Sequence, residues 1–94
     1  MTQKSGNFVE KVDFSQVTSW RNMMAIFIKV ARSCPNQASD LFEKYVSYIK
    51  TTNPEWTMEK SRDTAKDNIF IMIGHYGHDV TNLFHKAYKE LRQK

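Results

Sequence analysis

The sequence predicts an all-α fold, a small single-domain bundle of three to five helices. Apolar residues recur at steps of three and four over most of the chain, the mark of a helix face turned toward a core. Helix breakers gather at Cys34-Pro35-Asn36 and Thr51-Thr52-Asn53-Pro54, between the periodic segments. Alternating runs that could pair into a sheet are scarce. The competing fold, α+β, would place short strands near residues 8–14 and 69–73.

Met1 to Asn7 is polar and reads as a flexible tail, leaving 8–94 as the helical domain. Phe8 to Phe14 alternates only partly and suits a short strand or an extended lead-in. Asp13 or Ser15 then offers an N-cap oxygen to a first helix over about Gln16–Ser33. Its apolar stripe is broad: Val17, Trp20, Met23, Met24, Phe27, Ile28, Val30, Ala31 and Cys34. Pro35 ends that helix and is tolerated in the first turn of the next.

Helix two, about Asn36–Lys50, shows Ala38, Leu41, Phe42, Tyr45, Val46, Tyr48 and Ile49, with an Asp40–Lys44 pair in the favourable order. After Asn53-Pro54, either Asn53 caps a short turn holding Trp56 or Thr57 caps the next helix directly. From Met58 a helical period runs through Ala65, Ile69, Met72, Tyr76, Val80, Leu83, Ala87 and Leu91. Gly74 and Gly77 each cost a helix about 1 kcal/mol relative to alanine. Two of them within four residues predict a break, with Asp79 recapping a final helix. The predicted centre of the core is Trp20, Phe27, Leu41, Tyr45, Ile69, Met72, Val80 and Leu83.

With 94 residues the chain suits one domain. So small a domain buries only about 60% of the surface its unfolded chain exposes, and its twelve aromatic residues supply much of the core. The single cysteine, Cys34, excludes an internal disulfide and fits a reducing, cytoplasmic setting. No secretory h-region is visible in Met1–Asn7, and Met23–Ala31 is far too short to span a bilayer, so no membrane association is expected. The net charge of +4 is mild and dispersed, densest at Lys86, Lys89, Arg92 and Lys94. Cations there also complement the dipole of a C-terminal helix.

Little of the sequence points to catalysis. His75, His78 and His85 share one face of an unbroken helix, but His78 and His85 would stand about 10 Å apart along its axis, too far to share one ion. His75 and His78 could share a metal with Asp79, although H-x-x-H without a second cluster is a weak signal. Cys34 could act as a nucleophile only if a helix terminus lowered its pKa and a histidine folded back as base. Glu55, Glu59, Asp63 and Asp67, interleaved with Lys60, Arg62 and Lys66, read as a solvated mixed-charge face. Three glycines leave no dinucleotide fingerprint, no Walker-type loop and no nucleophile elbow. Neither an enzyme nor a cofactor is expected.

Binding remains. Phe70, Ile73, Phe84 and Tyr88 flank the main apolar series of the last segment, more large residues than one stripe needs. Together with Trp20 and Trp56 they suggest apolar surface left for a partner. The sequence therefore predicts a non-enzymatic protein-interaction module, an adaptor, inhibitor or regulatory subunit that forms a homo-oligomer. Its expected contact residues are Tyr76, Phe84, His85, Lys86, Tyr88, Lys89 and Arg92. The alternative is a small basic nucleic-acid-binding regulator that stacks bases on Phe84 and Tyr88 of the C-terminal helix.

Overall fold

Local capping decides where the helices begin. The computed structural model describes residues 8–93; the tail expected at 1–7 and Lys94 lie outside them. Asp13 does cap, but what it caps is a single 3-10 turn, Phe14–Gln16: its Oδ1 accepts from the Ser15 amide at 3.0 Å and the Ser15 hydroxyl at 2.6 Å. The first long helix therefore starts later than the predicted Gln16. Ser19 Oγ accepts from the Asn22 amide at 3.0 Å and opens the helix at Trp20.

Five α-helices follow one another among the described residues, with no strand. They are α1 (Phe8–Lys11), α2 (Trp20–Ser33), α3 (Ala38–Thr52), α4 (Met58–Ile73) and α5 (His78–Arg92). The α+β alternative is not supported: residues 8–11 form a helical turn and 69–73 end α4. Pro35 opens a 3-10 turn between α2 and α3, as its fixed φ allows. Thr57 Oγ1 caps α4 through the Lys60 amide at 3.0 Å. Asn53 instead closes α3, its Nδ2 donating to the Ile49 carbonyl at 3.0 Å.

The break predicted at the paired glycines is present. A 3-10 turn, Gly74–Tyr76, follows α4, and Gly77 has φ 133°, a conformation L side chains rarely adopt. Gly77, not Asp79, stands at the N-cap of α5; Asp79 lies in its first turn. Lys44 also departs from expectation. Its ammonium donates to the Val9 and Glu10 carbonyls, at 3.0 and 3.1 Å, instead of pairing with Asp40. That contact ties α1 to α3 and satisfies carbonyls at the end of a helix too short to hold itself.

The core forms around α3, which packs on α2, α4 and α5, while α4 also packs on α2 and α5. Phe27 is its aromatic hub: its ring lies 5.2 Å from Tyr45, 5.3 Å from Phe84 and 5.9 Å from Phe14. Ser61 and Ala65, small and fully buried, line the inward face of α4. The Ser61 hydroxyl is satisfied by the Thr57 carbonyl at 3.1 Å. No helix of the described chain is long and apolar enough to cross a membrane.

Six of the eight predicted central residues are buried; Trp20 and Leu83 are not. Trp20 shares Phe27's side of α2 but lies about 10 Å nearer its N-terminal end, seven residues away at 1.5 Å each. There it stands 51% exposed. Leu83 is half-buried at the edge of the core.

Candidate functional site

Five successive apolar residues, Ile69-Phe70-Ile71-Met72-Ile73, end α4. At about 100° per residue such a run encircles the helix, so a one-sided core cannot hold all of it. Ile69, Met72 and Ile73 face inward and are buried. Phe70 and Ile71 are 66% and 69% exposed, the two most exposed large apolar residues described. They line an open groove of about 470 Å³ together with Lys66, Asp67 and His85 of α5.

The groove has a firm edge. Tyr88 on α5 donates its hydroxyl to Asp63 Oδ1 at 2.6 Å, locking α5 to α4. That hydrogen bond, with a contribution from burial, raises the Tyr88 pKa above its ordinary value. Lys66 Nζ lies 4.7 Å from the centre of the same ring and 3.9 Å from Asp67 Oδ1, and Arg92 covers the ring at 5.6 Å. Lys66 and Asp67 thus place one charge of each sign beside the apolar pair.

The contact residues expected from sequence divide into two groups. Tyr76, His85, Lys86, Lys89 and Arg92 are exposed. Phe84 and Tyr88 are not: Phe84 is 2% exposed and stands edge-on to Phe27, and Tyr88 packs edge-on against Phe42 at 6.2 Å. The expectation that they are surface rings does not hold, and the cause is the turn at Gly77. On one continuous helix Phe84 and Tyr88 would flank the inward stripe. Once α5 folds back on α4, its inward face shifts to Val80, Thr81, Phe84, Ala87 and Tyr88. Ile73 and Trp56, also offered as surplus, are buried and half-buried; Lys60 covers the Trp56 ring at 4.3 Å.

Ile71, Lys66 and Asp67, which line this groove, are not among the contact residues expected from sequence. The legible signal was the unbroken apolar run itself, which no single helix face can absorb.

The three histidines are exposed, and the His75 ring lies tilted against Tyr76, 4.4 Å between centres. Among the described residues no group of three or more His, Cys, Asp or Glu is placed to hold a metal ion. Cys34 is half-buried at the end of α2 with its amide donating to the Val30 carbonyl at 3.0 Å. Compared with known proteins, the chain matches no family model, no curated protein and no solved structure.

Proposed function

We propose that this chain is a non-enzymatic protein-interaction module, an adaptor, inhibitor or regulatory subunit of the cytoplasm, that self-associates through α4. The observation that carries the reading is the exposed Phe70–Ile71 pair at the groove beside His85. Adjacent large apolar residues held outward on a capped helix favour contact with another apolar surface. A two-fold contact uses the same patch twice, so its own charges must not repel. Lys66 and Asp67 satisfy that demand at the groove, since together they carry no net charge.

Magnitudes set the expected strength. Fully burying a Phe or Ile side chain contributes about 1.5–3 kcal/mol. Two copies supply four such side chains, each about two-thirds exposed, for roughly 4–8 kcal/mol. Association costs on the order of 4–15 kcal/mol. Even the most favourable balance leaves about 4 kcal/mol, so these side chains support a dimer in the millimolar range at best.

The nucleic-acid alternative relied on Phe84 and Tyr88 as stacking rings, and their burial leaves the exposed Lys86, Lys89 and Arg92 without an aromatic platform on α5. Light scattering across a range of concentrations tests the proposal. The wild type should gain mass with concentration, and Phe70→Glu should remain monomeric with an unchanged melting temperature. A wild type that stays monomeric throughout, or a variant that associates equally well, refutes it.

A further inference from the structure

We propose that a second groove, between α2 and the Gly74–Tyr76 turn, docks an acidic amphipathic helix of a different protein. This groove encloses about 380 Å³ and is lined by Arg21, Met24, Ala25, Ile28, Lys29 and Tyr76. It is separate from the α4 groove and does not depend on self-association there.

The argument starts from charge. Helix α2, WRNMMAIFIKVARS, carries Arg21, Lys29 and Arg32 and no aspartate or glutamate at all. Two of those cations line the groove, and among the described residues no carboxylate does. The α4 groove is different, because Lys66 and Asp67 offset each other there.

Shape narrows the partner further. Trp20, Met24 and Ile28 follow one another at steps of four, and Arg21, Ala25 and Lys29 form the neighbouring row. Residues at that spacing align along a helix, so the rows run about 12 Å, from Arg21 to Lys29. Tyr76, 42% exposed, forms the opposing wall from a separate element. An apolar floor of Met24, Ala25 and Ile28, about one helical turn, with a cation toward each end fits a helix whose apolar i and i+4 residues are bracketed by carboxylates. Lys29 Nζ lies 4.5 Å from the centre of the Phe8 ring, which steadies one of the two cations.

Two other occupants fit less well. A second copy would set these cations against their own images. A lipid surface requires an outward-protruding apolar face. Here the one protruding apolar residue of the row, Trp20, stands outside the groove lining, Met24 and Ile28 are half-buried, and Phe27 and Val30 on the same helix are committed to the core.

The test is selection from a displayed library of random peptides about 16 residues long, enough for four helical turns. Affinities of the enriched peptides are then measured by fluorescence anisotropy. The expected outcome is enrichment of peptides with apolar i, i+4 pairs flanked by Asp or Glu. Affinity should fall on the order of tenfold or more for the charge reversal Arg21→Glu/Lys29→Glu, and likewise for Tyr76→Ala on the other wall. Circular dichroism and melting confirm that each variant folds, and Phe70→Glu should bind like the wild type. No enrichment, enrichment of neutral or basic peptides, or undiminished binding by both groove variants overturns the proposal. Binding to phosphatidylserine vesicles without any peptide binding overturns it in favour of a membrane role.

Discussion

Replacing Phe84 by alanine separates a core role from a contact role more sharply than any other single change. The ring is 2% exposed and meets Phe27 edge-on at 5.3 Å. Losing its burial costs about 1.5–3 kcal/mol. The lost ring pair adds about 0.5–1.5 kcal/mol, and an incompletely collapsed cavity brings the total to about 3–5 kcal/mol. A domain of this length has roughly 5–14 kcal/mol in all, so the variant loses about a fifth of its stability at the least. At about 4–8 °C per kcal/mol, its melting temperature should drop by roughly 12 °C or more. Phe70→Ala, made on the exposed face, should change stability by no more than about 0.5 kcal/mol. Urea unfolding followed by far-UV circular dichroism reads both, with equal slopes marking a pure stability effect. Coincident midpoints for the two variants would refute the packing argument and return Phe84 to the surface.

Two further perturbations test the turn and the α4–α5 lock. Gly74 has φ −59° and a Cβ there would meet the Phe70 ring at an ordinary 3.8 Å, so Gly74→Ala should stabilise by about 0.4–1 kcal/mol in thermal melts. Gly77→Ala should destabilise by about 1–3 kcal/mol, since φ is 133° and a Cβ would stand 2.9 Å from Asp79 Oδ1; equal effects at the two glycines would contradict the turn geometry. Tyr88, through its hydrogen bond to Asp63, and Tyr45, through burial, both have raised pKa values. Each favours its protonated form in the folded state. Their contribution is therefore intact below the unfolded value near pH 10 and is lost as pH climbs through the raised folded values. Tyr88→Phe should make the alkaline decline in melting temperature shallower, and an identical decline in both proteins would show that Tyr88 is not linked to stability.

The fold was largely legible because capping and periodicity act over a few residues. Pro35, Thr57 and the glycine pair all mark true boundaries, each through a local backbone requirement that neighbours cannot override. The errors arose where the answer depends on how far an element extends or where it points. Trp20 has the periodicity of a core residue, but periodicity carries no information about where along its axis a helix stops touching its neighbours. Lys44 has a well-placed i,i+4 partner in Asp40, yet a pair worth a few tenths of a kcal/mol is easily displaced by hydrogen bonds to two carbonyls of α1.

The contact face shows the same division most clearly. One residue, Gly77, reverses the chain and thereby decides which rings of the last third are core. Rotating α5 about its axis takes Phe84 and Tyr88 inward, where they pack on Phe27 and Phe42. No comparable adjustment could hide Phe70 and Ile71. Ile69, Met72 and Ile73 already claim the inner face of α4, and Tyr88 with Asp63 fixes α5 along one flank. Turning α4 to bury the exposed pair would expose three buried residues in exchange for two. Exposure of Phe70 and Ile71 is therefore a consequence of the apolar run in a chain that folds this way, and a second apolar surface is the simplest means of removing it from water.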